Sequence, residues 1–200
     1  LMNIAVGLNK AGSSVIVLDA DLRTPSIHQE FGIPLDEKFS LPQLINQMTH
    51  ELNMSGDFSW TNIQKYIQEI PGNQRLHIIT SSNNVPEPYE FLNTHALPAL
   101  IRKLKEHYDW VLIDSPPALA VPDAVTLGSY SDGVVLVAGL DTRRNHINKI
   151  HKLFSDNHIP IFGVIGREVL SKDALSSNQY LKQIIARMIP DESDIYVEKH

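Results

Sequence analysis

The chain contains no cysteine, which excludes a disulfide framework, a zinc–thiolate site, a thiol nucleophile and an iron–sulfur cluster together. Long apolar runs are missing as well: nothing in the 200 residues approaches the roughly 18 to 20 needed to cross a bilayer. The opening stretch, Leu1 to Gly12, lacks the basic region of a secretory signal. The expectation is a cytoplasmic chain with no direct membrane span, any membrane link running through a partner or a fused membrane domain. An excess of basic charge is also absent. Lys and Arg number 17 against 23 Asp and Glu, for a formal net charge of −6, and this argues against adhesion to DNA or anionic lipid. The nine histidines include no grouping with metal-site spacing on one element. Ser13, Ser14 and Ser115 lack the G-x-S-x-G elbow of a hydrolase. No internal repeat or low-complexity tract is visible.

What is present alternates. Three β-branched runs, Val15–Leu18 before Asp19, Val111–Ile113 before Asp114, and Val134–Val137, read as strands buried on both faces, as in a parallel sheet. Leu76–Ile79 and Ile161–Ile165 are weaker strand candidates. Between them, Leu97, Leu100, Ile101 and Leu104 recur at helical spacing opposite Arg102, Lys103, Lys105 and Glu106, predicting an amphipathic helix over 95–107. Segments 1–11, 120–128 and 143–156 also suit helices, with Gly12 placed to end the first. Across 33–75, where Pro34, Pro42, Gly56, Pro71 and Gly72 interrupt the pattern, short helices are expected at 41–50 and 61–69. The reading is a doubly wound α/β domain over 1–170 with a mostly parallel sheet. A C-terminal helix and an acidic, loose tail follow over 171–200.

In open α/β sheets ligands bind beyond the carboxyl ends of the strands, and two acidic motifs fall there. Val15-Ile16-Val17-Leu18-Asp19-Ala20-Asp21-Leu22-Arg23 ends a buried strand in two carboxylates at i and i+2 with a guanidinium shortly after. That spacing suits a shared divalent cation or a hydroxyl proton. Trp110-Val111-Leu112-Ile113-Asp114-Ser115-Pro116-Pro117 has the form of a Walker B strand, whose carboxylate holds Mg²⁺ at nucleotide phosphates. His28 reads as a packing or capping residue, and Arg143-Arg144 as a solvated face.

Joined, these segments resemble the bacterial tyrosine kinases of capsular and exopolysaccharide synthesis, P-loop-type ATPases related to MinD and ParA. DADLRTPSIHQEFGI (19–33) is similar to that family's Walker A′ segment, YDWVLIDSPPALAVPDAV (108–125) to its Walker B segment, and Val85-Pro86-Glu87-Pro88-Tyr89-Glu90-Phe91-Leu92 to the loop and helix between them. The resemblance implies an ATP-dependent protein tyrosine kinase, an autokinase, with ATP and Mg²⁺ as cofactors. It implies Asp19, Asp21 and Arg23 as catalytic residues, Asp19 and Asp114 at the metal, Asp123 lining the crevice and Arg167 near the base. Tyr180 and Tyr196 are the phosphoacceptor candidates, sparser than the tyrosine cluster of relatives. Arg23 equally suits pinning its own loop. A membrane polysaccharide co-polymerase acting as adaptor, attachment at the inner face of the cell membrane, and a homo-oligomer are also implied. No glycine here precedes a lysine, so the GxxxxGK[ST] loop and the first strand that relatives carry before a helix like 3–12 are expected upstream of Leu1. The alternative is a MinD- or ParA-like ATPase switch, or a kinase-dead scaffold in polysaccharide assembly.

Overall fold

The structure is a computed structural model that describes residues 1–82, 85–139 and 142–167. These fall into two compact units, Leu1–Leu127 and the part of the chain from Gly128 on. The expected change at 170/171 and the segment beyond it lie outside the described residues.

The first unit is built on strands β1 (Val15–Asp19), β2 (Gln68–Ile70), β3 (Asn73–Ile79) and β4 (Trp110–Asp114) in the order β2-β3-β1-β4. β3, β1 and β4 run parallel, and β2 pairs antiparallel with β3. The β-branched run of β1 is buried at every position, because a central parallel strand is covered on both faces and both edges. Helix α1 (Met2–Lys10) lies against β1 and β3. Its buried Ala5 joins Val15, Val17, Leu76 and Ile78 in one apolar cluster. α1 stops in a Schellman motif: Gly12 N–H donates to Asn9 O and Ser13 N–H to Leu8 O. Gly12 stands at φ 96°, a conformation that only glycine adopts without strain.

A short helix α2 (Ile27–Glu30) and a 3₁₀ turn (Glu37–Phe39) lead to α3 (Leu41–Ser55), which packs on α6 (Ala96–Lys105). α6 buries the anticipated stripe of Leu97, Leu100, Ile101 and Leu104, and each such side chain contributes about 1.5–3 kcal/mol. Pro98 is tolerated in its first turn, where the backbone N–H has no intrahelical partner. The helix expected at 61–69 is shorter, α4 (Trp60–Gln64), and the chain then enters β2. Pairing with β3 (Gln68 opposite Ile78) outweighs local helical preference there. α5 (Pro88–Leu92) follows β3, and α7 (Asp123–Ser129) follows β4.

The second unit is a parallel β5 (Val134–Gly139), α8 (Arg144–Asp156), β6 (Ile161–Arg167) unit. Ile147 of α8 packs on Ala138, with Val164 against them. Gly133 is required by close approach, since a Cβ there would stand 2.7 Å from the Phe162 ring. Burial on both faces holds for β1 and not for the other two apolar runs: β4 is partly exposed, with Trp110 47% accessible, and Val135 and Val137 of β5 are exposed. Among the described residues β4 pairs only with β1 and β5 only with β6.

Candidate functional site

Asp19 closes β1 and Asp114 closes β4, and the two are register partners. Neighbouring strands lie about 4.8 Å apart, so both residues leave the sheet at one level of its carboxyl end. Asp19 is fully buried, and neither carboxylate oxygen receives a hydrogen bond. Burial raises its pKa to about 7, with the charges of Asp114 and Asp21 adding to the effect; the backbone N–H groups of Asp21 and Ile27 oppose it from nearby without reaching hydrogen-bond geometry. Burial likewise lifts Asp114 to about 6, with the charges of Asp21 and Glu30 adding to the effect and the backbone N–H of Ser115 opposing it.

Asp21 has a different setting. Its Oδ1 accepts the backbone N–H groups of Arg23 and Thr24, and its Oδ2 accepts the Thr24 hydroxyl. The carboxylate therefore ties its own turn together. Arg23 reaches across 100 positions of sequence to Asp123 at the start of α7, donating from Nε at 2.9 Å and from Nη2 at 3.2 Å. Asp123 is fully buried, with both oxygens engaged by this fork. Its hydrogen bond is also the chief reason the Arg23 guanidinium is pushed above its usual range. The structure thus joins two sequence candidates in a pair that pins the loop after β1 to α7.

A hard cation suits the upper part of this arrangement. Asp19 offers two buried oxygens without partners, and Mg²⁺ takes one or two carboxylates plus phosphate oxygens and water. Among the described residues no group of three or more His, Asp or Glu side chains stands ready for a metal.

Asp19, Asp21, Arg23, Asp114 and Asp123 therefore gather at one edge of the first unit. Arg167 ends β6 in register with Gly139, in the second unit. Tyr180 and Tyr196 lie outside the described residues. His28 sits on α2 with Nδ1 buried and unpartnered. One contributor escaped the sequence reading, the charge of Glu30, because nothing local marks it as a neighbour of Asp114. Among the described residues no helix is long and apolar enough to cross a membrane.

Comparison with known proteins places this geometry in a family. Residues 1–161 match the model of the AAA domain. Tyrosine-protein kinase YwqD of Bacillus subtilis is 31% identical over 135 residues, 68% of this chain and 51% of that protein. The match spans between about half and two thirds of the length of some curated relatives and only 16% to 22% of others. The solved VpsO kinase domain shares 28% identity at a TM-score of 0.69, covering 84% of this chain and 76% of that one. At the level of fold alone, the septum site-determining protein MinD of Pyrococcus horikoshii, solved with Mg-ADP, aligns at 21% identity and a TM-score of 0.62, over 85% of this chain and 64% of that one. The match over most of its length and the carboxylate pair at the sheet edge agree: the chain belongs to the AAA domain family and is similar, within it, to bacterial tyrosine-protein kinases.

Proposed function

We propose that this chain is the greater part of the catalytic domain of an ATP- and Mg²⁺-dependent protein tyrosine kinase that regulates capsular or exopolysaccharide assembly. The observation that carries the reading is the Asp19–Asp114 register pair, in which Asp19 is fully buried with neither carboxylate oxygen hydrogen-bonded. The similarity to tyrosine kinases supports it.

Asp19 and Asp114 would hold Mg²⁺, which when bound neutralises charge on the nucleotide phosphates. In the transfer, the tyrosyl oxygen forms a bond to the γ-phosphorus as the bond to the β–γ bridging oxygen breaks, and ADP leaves with that electron pair. The phenolic proton passes to the Asp19–Asp21 pair. Asp21 Oδ2 suits this step because its partner, the Thr24 hydroxyl, can rotate and accept once the carboxyl is protonated. Arg23 acts through Asp123, holding the loop that carries Asp21. Arg167 is assigned to the base side, and Tyr180 and Tyr196 as acceptors. A membrane polysaccharide co-polymerase as adaptor, a site of action at the inner face of the cell membrane and a homo-oligomer complete the proposal.

The test is phosphotyrosine formation from [γ-³²P]ATP by the intact gene product. Asp19→Ala and Asp114→Ala are each expected to reduce it at least about 100-fold. Undiminished labelling in both variants would overturn the assignment. Hydrolysis of ATP with no phosphotyrosine at all would favour a nucleotide switch of the MinD kind, which the shared fold also accommodates.

A further inference from the structure

We propose that the outer face of α8 docks on an anionic membrane surface, through an electrostatic contact that inserts no apolar side chain into the bilayer. The inference stands on how charge is distributed along the chain, and it holds whether or not the kinase reading does.

The formal net charge of −6 argues against adhesion of the chain as a whole, but that charge is not spread evenly. Residues 143–156 carry Arg143, Arg144, Lys149 and Lys152 against one acidic residue, Asp156, at the far end of the helix. The acidic excess therefore belongs to the rest of the chain. Burial shows which way the helix faces. Ile147 and Phe154 are buried, and Ile147 packs on Ala138 with Val164 against them. Lys149 and Lys152, at i and i+3, are exposed together with Asn145 and Asn148, each of which stands four residues before one of them. Arg143 is exposed at the helix start. Among the described residues, ion pairs engage Arg23, Arg75 and Lys103, and none engages Arg143, Lys149 or Lys152.

The chemistry of that face selects the partner. A helix that inserts at a bilayer interface needs an apolar side to bury there, and the apolar side of α8 is already spent on its own sheet. What remains is a row of cations interleaved with uncharged amides, spanning about 14 Å from Arg143 to Lys152. Four Lys and Arg within one amphipathic helix and its cap form the smallest cluster that reads as a binder of anionic lipid headgroups. A nucleic acid that wraps the protein meets the acidic remainder of the chain as well. A leaflet presents its charge in one plane, and a helix lying along that plane brings Arg143, Lys149 and Lys152 to it together. Each Lys or Arg near such a surface strengthens binding about fivefold, and the attraction fades beyond about 8 Å at physiological salt. Such a contact is weak alone, yet it orients a chain that a partner already holds at the membrane, where tethering raises its effective concentration. It adds direct contact with lipid to the site of action proposed above.

The experiment is vesicle co-sedimentation of the full chain, with vesicles of phosphatidylcholine alone and of phosphatidylcholine mixed with phosphatidylglycerol, and with a DNA duplex as a separate probe. Binding to the mixed vesicles is expected, together with its loss when NaCl is raised to about 0.5 M. Neutral vesicles and DNA are expected to capture none of the chain. Lys149→Gln combined with Lys152→Gln is expected to weaken binding to the mixed vesicles about 25-fold, and Asn148→Lys to strengthen it about fivefold. Asn148→Lys changes an exposed position and keeps the test decisive if the double variant does not fold, which circular dichroism reads. No binding to the mixed vesicles, equal binding to both kinds, or binding that neither variant alters overturns the proposal. Tighter binding to the DNA duplex than to the mixed vesicles also overturns it and makes α8 a nucleic-acid face.

Discussion

At the amino end of the β1–β4 pair, Asp109 accepts hydrogen bonds at 2.7 Å from both the backbone N–H and the hydroxyl of Ser14, with Arg75 3.8 Å away. These donors, the Ser14 backbone first, hold its carboxyl below the usual carboxylate range. At the carboxyl end of the same two strands, Asp19 and Asp114 sit side by side in the opposite condition: Asp19 is fully buried with neither oxygen hydrogen-bonded, Asp114 is half-buried, and loss of solvent raises them to about 7 and about 6. Identical chemistry is thus made satisfied at one end and frustrated at the other. A carboxylate that stabilises a fold is given its donors by the fold. One that awaits a ligand is left without them, and the protein is less stable for it.

The comparison breaks first at Asp19. Asp19→Asn is expected to lower phosphotyrosine formation by the intact gene product about 100-fold or more, while the thermal midpoint of the ligand-free chain at pH 8 rises. Removing the buried charge recovers on the order of 2–4 kcal/mol, several degrees for a chain of this size. A variant that keeps its activity and melts lower would show that Asp19 is a structural group like Asp109.

The pH dependence comes next. The folded chain keeps protons on Asp19 and Asp114 that the unfolded chain, with carboxyl groups near 3.8, has already released. The stability these two groups contribute is therefore fully present below about pH 4 and is lost as pH rises through about 6 and about 7. Urea unfolding at pH 5 and pH 8 is expected to reveal the loss, and Asp19→Asn to shrink it. Saturating Mg²⁺ with a nonhydrolysable ATP analogue should restore stability at pH 8.

A smaller effect is expected at the Arg23–Asp123 fork. Arg23→Met leaves Asp123 buried and unpaired, so the melting temperature falls, and Arg23→Met with Asp123→Leu recovers much of the loss. A double-mutant cycle by thermal melting reads the coupling; additive losses would remove the pin. Smallest of all is Asp109→Asn, an exposed site where a modest fall in melting temperature and unchanged affinity for the ATP analogue are expected. A change in nucleotide affinity there would erase the contrast between the two ends.

Much of the site-bearing half was legible before the fold was known. The run Val15–Leu18 announces a central strand by its β-branched apolar content, and Leu97, Leu100, Ile101 and Leu104 announce α6 by their period, since both signals are local. β2 was not legible. Gln68–Ile70 has no strand pattern of its own and exists through its pairing with β3. α3 runs on to Ser55, past the predicted end near 50, because neither proline nor glycine interrupts it before Gly56, whose φ of 76° ends it.

The sequence by itself determined that carboxylates would stand at the ends of two apolar strands, because a run of β-branched residues closed by aspartate specifies its own geometry whatever lies around it. It also determined α1 and its stop at Gly12, through periodicity and a glycine where φ must be positive. Only the tertiary structure decided the division of labour among those carboxylates. Asp19 and Asp21 look alike at i and i+2, yet one lies buried without donors and the other holds a turn. Whether Arg23 meets phosphate or pins a loop depended on an aspartate 100 positions away. Burial, donor supply and pairing across such separations are properties of packing, and no window of sequence contains them.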